Sequence, residues 1–301
     1  MKTAKPFLKW AGGKTQVLKH INKLIEHLDP KETTYYEPFL GAGSVFFSHN
    51  FRRSVINDLN DELINTYIQV RDNLEDVMSY LEEHKTNHTV NAKEYYYSIR
   101  ELDRNSKFHQ LSPAERAARN IYLNKTCFNG LYRVNSRGEF NTPIGKYFNP
   151  KILDKDNLLA VSKVLNKKKV IIKNEDFEKV VKRAQKGALI YFDPPYDYDH
   201  KNGFVSYHKD GFSKKELKRL RDLASDLIEK GCYVIISNHD TQRVRQLFSD
   251  NKFIMERIDD DDIEFVTKRI NVNRSINAKG SARKHKVQEV LIYGSNLSTS
   301  R

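Results

Sequence analysis

The sequence predicts an α/β fold: a mostly parallel sheet with helices on both faces, interrupted by a long, mainly helical insertion. Six short apolar runs carry the first part of this expectation: Tyr35 to Phe39, Ser54 to Asn57, Val170 to Lys173, Ala188 to Asp193, Cys232 to Asn238 and Val287 to Tyr293. Each has the length and the β-branched or aromatic content of a buried strand. Helical periodicities alternate with them, the pattern of a parallel sheet covered by helices. The third observation is the interval between the second and third runs, over a hundred residues of different character. The resulting division is 1–62 with 156–301 for the sheet and 63–155 for the insertion.

Taken in order, Val17, Leu18, Ile21, Leu24, Ile25 and Leu28 recur at helical spacing, and Asp29 and Pro30 stop that helix. The insertion begins with Leu63, Ile64, Tyr67, Ile68, Leu74, Val77, Met78 and Leu81, again at helical spacing. Ser112, Pro113 and Glu115 start a helix that runs to about residue 125. From 120 to 151 there are six Asn, six aromatics and five Lys or Arg against one acid, with turn signals at Asn129-Gly130 and Arg137-Gly138. That stretch reads as a β-hairpin or ordered loop with a basic, aromatic surface. Ser213 and Glu216 form a capping box for a helix ended by Gly231.

The chain has 301 residues and 39% hydrophobic content, enough for a packed core and against disorder. Its formal charge of +13 attracts polyanions, which makes nucleic acid the first candidate partner. Only Cys127 and Cys232 are present, in unrelated contexts, so neither a disulfide framework nor a cysteine metal site is expected. No apolar run reaches signal-peptide or membrane-spanning length, so a soluble, cytoplasmic protein is expected, with no metal and no obligate protein partner.

The sharpest chemical signal is Asp193, Pro194, Pro195, Tyr196, directly after an apolar strand. Ligands bind beyond the carboxyl ends of strands in open α/β sheets. Two prolines fix two φ angles and remove two donors, so the Asp193 and Pro194 carbonyls gain a rigid direction. A carboxylate, a fixed carbonyl and an aromatic ring suit a planar base bearing an amino group. Gly41 and Gly43 permit a tight turn and close ligand approach after the first strand. Asp58, at the end of the next strand, is placed either to accept from ribose hydroxyls or to cap the helix before Leu63. Asp176 is likewise an acceptor for an adenine amine or a cap before Phe177. Gly12, Gly13, Lys14 and Thr15 lack the earlier glycine of a phosphate-binding loop, since Leu8 stands in its place, which excludes nucleoside triphosphate binding.

This tetrad, together with Phe7 to Lys14, Glu37 to Ser44, Ser237 to Asp240, Asn129 to Arg133 and Arg137 to Asn141, resembles the Dam family of DNA adenine-N6 methyltransferases. The motifs occur in the family's order along nearly the whole chain. The resemblance implies a Rossmann-like methyltransferase sheet, S-adenosyl-L-methionine as cofactor, and double-stranded DNA, with GATC as the site. It implies Trp10, Lys14, Phe39, Gly41, Gly43, Asp58, Asp176 and Asp193 for the cofactor, and Asp193, Pro194 and Tyr196 for a flipped adenine. DNA contacts are expected from Asn129, Leu131, Arg133, Asn135, Arg137, Asn141, Pro143, Lys146 and Arg274, with Arg133 reading a base edge or holding a phosphate. The basic run 268–286 fits a DNA backbone contact, whereas Asp259 to Asp262 reads as a solvated loop. Cytosine-N4 or RNA methylation, and a DNA-binding protein without catalysis, are the competing readings.

Overall fold

The computed structural model describes residues 3–10, 15–167, 169–196, 212–257, 270–272 and 287–294. The six expected strands are present: β1 (Thr34–Glu37), β2 (Arg53–Asn57), β3 (Val170–Lys173), β4 (Leu189–Phe192), β5 (Tyr233–His239) and, last in the chain, β8 (Val287–Gly294). Two more were not expected, β6 (Phe253–Arg257) and β7 (Ile270–Val272). The order is β3-β2-β1-β4-β5-β8-β6, with β7 paired to the start of β8. β1 to β5 are mutually parallel, and β8 runs antiparallel between β5 and β6. From β1 the chain builds outward to β2 and β3, then returns to place β4 on the other side of β1. The crevice at the carboxyl ends of β1 and β4 is therefore the topological switch point, where such sheets bind ligands.

Side chains alternate across the sheet as the two-residue period requires. Tyr35, Leu189, Tyr191 and Ile235 face one buried cluster, and Tyr36, Ile190, Phe192, Val234 and Ile236 face the other. The first cluster is covered by α1 (Thr15–Ile25), α2 (Ser44–Ser48), α3 (Asp61–Asp72), α4 (Leu74–Val90), α5 (Ala92–Glu101), α6 (Pro113–Thr126) and α7 (Lys155–Leu165). The second is covered by α8 (Phe177–Val181), α9 (Lys214–Glu229) and α10 (Gln242–Leu247). Side chains of the insertion, including Tyr67, Leu81, Tyr96 and Tyr122, are continuous with the first cluster.

Several local expectations hold and some shift. Ser112 and Glu115 make both bonds of a capping box, at 3.1 and 2.8 Å. Ser213 caps α9 by accepting from the Glu216 N–H, and Gly231 follows its end, but the expected capping box is only half formed because the Glu216 carboxylate pairs with Arg219. α1 stops at Ile25 rather than Leu28. The pattern from Leu63 to Leu81 is two helices, because Asn73 leaves helical geometry at φ −131° and its side chain bonds Gln69 instead. The hairpin at 120–151 pairs through bridges Cys127↔Ile144 and Val134↔Phe140 rather than a continuous ladder.

Within the insertion, His84 stacks on Tyr122 at 4.8 Å and its Nδ1 bonds the Tyr95 hydroxyl at 2.8 Å. Burial, with Arg119 nearby, lowers its pKa to about 4. The unfolded chain binds a proton near pH 6.5 that the folded chain refuses until about pH 4, so this contribution is complete above pH 6.5 and is lost as pH falls through that window. Urea unfolding of wild type and His84→Gln at pH 7 and pH 4.5 should show a shallower pH dependence in the variant. Parallel profiles would refute the assignment.

Candidate active site

β1 leads into Pro38, Phe39, Leu40 and a turn whose glycines adopt left-handed φ, +50° at Gly41 and +70° at Gly43. Close packing adds to the requirement: a Cβ on Gly41 would lie 2.8 Å from Trp10 Cδ1, and one on Gly43 3.1 Å from Phe47 and from the Tyr67 hydroxyl. The Gly41 N–H donates to Asp58 Oδ2 at 3.0 Å, while Asp58 Oδ1 accepts the Asn60 N–H. Asn60, not Asp58, caps α3 by accepting from Leu63 at 2.9 Å. Asp58 is thus held beside the glycine turn at the end of β2. Asn57, fully buried, ties this turn to the loop before α8, donating to the carbonyls of Pro38 and Glu175 at 2.9 and 3.0 Å and accepting the Glu175 N–H at 2.8 Å.

Phe39 meets the rings of Phe177, Phe192 and Phe212 at 5.4, 6.3 and 5.8 Å, which makes an aromatic wall on the same edge. Asp176 takes the cap role at α8, accepting the Glu178 N–H at 3.0 Å, and the same oxygen pairs with Arg219 at 3.0 Å. Trp10 stacks on Tyr132 at 5.1 Å and 25°, linking the glycine turn to the 128–133 segment. Burial pushes the Tyr132 phenol up to about 12, opposed by a hydrogen bond with Asn60.

The tetrad Asp193 to Tyr196 leaves the carboxyl end of β4 beside that turn, and the Tyr196 ring lies 4.6 Å from His239 at the end of β5. Beneath it is a buried polar layer. The Tyr35 hydroxyl donates to Glu37 Oε2 at 2.8 Å, and Tyr191 shares a hydrogen bond of 2.8 Å with Ser237. Burial drives the Glu37 carboxyl well above its usual range; the Tyr35 bond opposes this and the charge of Asp193 adds to it. Burial and the neighbouring Asp193 thus favour the neutral form of Glu37 relative to an exposed carboxyl.

The loop after α6 opens with a 3-10 turn, Phe128–Gly130, in which Asn129 adopts φ 55°. Arg133 is pinned by Asn141, donating from Nε to Oδ1 at 2.6 Å and from Nη2 to the carbonyl at 3.1 Å. Asn135, Arg137 and Glu139 interlock at the tip: Glu139 Oε2 accepts from Asn135 at 2.6 Å and from Arg137 at 3.0 Å. The Pro143 carbonyl accepts the Phe128 N–H, while Leu131 is half-buried and Lys146 exposed. Two residues that sequence reasoning missed join them. The Lys9 main chain is clamped by Asn124, at 2.8 and 2.7 Å, and its Nζ lies 4.4 Å from the Tyr147 ring centre and donates to its hydroxyl. The signal was available, since Lys9 sits inside the Phe7 to Lys14 motif. Lys14, Arg274, most of the 268–286 run and Asp259 to Asp262 lie outside the described residues.

One edge thus collects a glycine turn, a strand-end acid, an aromatic wall and a rigid acid-Pro-Pro-Tyr corner. Among the described residues no group of three His, Cys, Asp or Glu is placed to hold a metal, and no helix is long and apolar enough to cross a membrane. The switch-point crevice and the acceptors at this corner suit a ligand that bears an amino group. Residues 10–261 match the D12 class N6 adenine-specific DNA methyltransferase family, and the chain belongs to that family. It is 40% identical over 289 residues to the type II methyltransferase M1.LlaDCHI of Lactococcus lactis subsp. cremoris, covering 96% of this chain and 94% of the relative. It is 37% identical to the type II methyltransferase M.MjaIII of Methanocaldococcus jannaschii, covering 96% and 98%. With the DNA adenine methylase of Escherichia coli strain K12 it shares 34% identity, covering 97% and 95%.

Proposed function

We propose that the protein uses S-adenosyl-L-methionine to methylate N6 of an adenine flipped out of double-stranded DNA within GATC. The observation that carries the reading is the meeting of the Gly41 to Gly43 turn and the Asp193 to Tyr196 corner at the switch point of a DNA adenine methyltransferase fold. The residues present suit the cofactor: the glycine turn for close approach, the Trp10 indole to pack beside a sulfonium or adenine face, Asp58 for ribose hydroxyls, Phe39 and Asp176 for its adenine, with Lys14 nearby in sequence. When bound it supplies a methyl group on a sulfonium.

The chain's own residues then have to prepare a weak nucleophile, because the lone pair of an exocyclic amine is delocalised into the ring. The Asp193 carboxylate and the Pro194 carbonyl accept its two N–H bonds and turn the lone pair out of the ring plane. The same acceptors stabilise the positive charge that develops on nitrogen. Tyr196 provides a face for the flipped base.

In this reading 63–155 is the target-recognition unit, with 1–62 and 156–301 catalytic, and Asn129, Leu131, Arg133, Asn135, Arg137, Asn141, Pro143, Lys146 and Arg274 touch DNA. GATC rests on the likeness of Asn129 to Arg133 and Arg137 to Asn141 to the GATC-reading branch. A cytoplasmic setting follows from the substrate. Labelled S-adenosylmethionine with duplexes carrying GATC or scrambled sites tests the whole: N6-methyladenine should form in the GATC duplex alone. Equal labelling of both duplexes would remove GATC, and label in cytosine would sink the mechanism.

Arg133 offers a narrower test, since its pinning by Asn141 aims the guanidinium while its Nη1 has no hydrogen-bond partner among the described residues. Arg133→Ala should reduce discrimination between GATC and single-base variants by roughly 10- to 100-fold, the worth of one good base contact. A uniform loss across all sites would instead make Arg133 a phosphate contact.

A further inference from the structure

We propose that Arg219 is a positioning residue for the cofactor, fixing the Asp176 carboxylate and the start of α9 so that the aromatic wall at Phe39 stays assembled around an adenine ring. The inference rests on the reading of this edge as the S-adenosylmethionine site. Each guanidinium nitrogen of Arg219 serves a different carboxylate: Nη2 to Asp176 at 3.0 Å, Nε to Glu178 at 2.9 Å and Nη1 to Glu216 at 2.7 Å. Its plane also covers Phe177, with the guanidinium carbon 4.9 Å from the ring centre. Asp176 and Glu178 belong to the start of α8, whereas Glu216 lies in the first turn of α9. One side chain therefore joins two elements that backbone hydrogen bonding leaves separate.

The junction matters because of what flanks it. Phe212, next to the α9 cap Ser213, meets Phe39 at 5.8 Å and Phe177 at 6.2 Å. Phe177 directly follows Asp176 and meets Phe39 at 5.4 Å. Arg219 thus presses on the outer face of the wall while orienting the acid beside it. Without a cation here, three carboxylates would face one another, and mutual repulsion would turn the Asp176 carboxylate away and shift the first turn of α9. The Arg219 side chain is 31% exposed, so such pairs add little to global stability. Its effect falls on geometry. A lysine could satisfy the charge but not three directions at once.

The full-length protein is compared with Arg219→Gln, Arg219→Lys and Asp176→Asn. Calorimetry measures affinity for S-adenosylhomocysteine and for its deaminated analogue S-inosylhomocysteine, and steady-state assays on a GATC duplex give kcat and KM for S-adenosylmethionine. Arg219→Gln should weaken S-adenosylhomocysteine about tenfold, a shift of ~1.4 kcal/mol in binding, and reduce the preference for adenine over the inosine base. KM should rise with kcat within about twofold, the signature of lost positioning rather than lost chemistry. Arg219→Lys should fall between wild type and Arg219→Gln, and the melting temperature should stay near that of wild type. Unchanged affinity and base preference in Arg219→Gln would overturn the role of Arg219, as would a loss that merely tracks a fall in melting temperature. If wild type binds S-adenosylhomocysteine but Asp176→Asn leaves the adenine preference intact, the Asp176 link fails. If wild type does not bind it at all, the cofactor reading itself falls, and the inference with it.

Discussion

Asp193→Ala is expected to reduce methyl transfer by about 10²- to 10³-fold, the usual loss on removing one preorganised group that stabilises developing charge. Retention of duplex DNA should change little, because the basic and aromatic loop from Asn129 to Lys146 sits on a different element. Asp193→Asn separates charge from geometry. It keeps an acceptor at the same place but adds an N–H that opposes the amine, so its activity should fall closer to Ala than to wild type. Single-turnover assays at saturating DNA and S-adenosylmethionine measure the chemical step directly. Loss of transfer in step with loss of cofactor binding would show that Asp193 serves binding and not the reaction.

Arg119→Ala carries the largest expected effect on stability. Arg119 is buried, donates to the carbonyls of Ile99 and Arg100 at 2.9 and 2.8 Å, and pairs with Asp103 at 3.0 Å. Removing one member of a buried pair strands the other and costs about 3–5 kcal/mol. For a chain of this size that corresponds to roughly 6 to 10 °C in melting temperature, at about 2 °C per kcal/mol. A second effect follows, because Asp103 also accepts the Phe140 N–H at 2.7 Å, and Arg104 donates to the Phe140 carbonyl at 3.1 Å. The loop that carries Arg133 is therefore anchored through the same carboxylate. Thermal melts of Arg119→Ala, Asp103→Ala and the double variant should show a non-additive cycle. Additive losses would mean that the two side chains act independently.

How far these features were legible in the sequence depended on how local their causes are. β4 is four consecutive buried residues, Leu189 to Phe192, and such a run announces a central strand. β6 mixes Phe253 and Ile254 with Glu256 and Arg257, and β7 is three residues long, so their strand character comes from pairing with β8. The Leu63 to Leu81 periodicity continues past Asn73, so helical spacing alone does not reveal the break between the two helices. The tetrad and the glycine turn are contiguous motifs, and the structure sets them side by side. Asp58 and Asp176 each allowed two local roles: Asn60 takes the α3 cap while Asp58 accepts from Gly41, and Asp176 caps α8 while also pairing with Arg219, a contact that local sequence does not announce. Lys9 and Tyr147 are 138 positions apart, and Asn57 and Glu175 are 118 apart. No periodicity or spacing rule reaches such distances.

The stacking of Trp10 on Tyr132 joins two surfaces that serve different ligands in the proposed reaction. A contact of this kind would make their occupancies interdependent. If filling the turn at Gly41 favours one setting of the indole, the loop around Tyr132 is biased by the same free energy, and the reverse holds to the same factor. The cofactor's affinity would then differ between free enzyme and enzyme on DNA by the ratio at which cofactor alters DNA affinity. The size of that mutual effect would then be set by one aromatic contact.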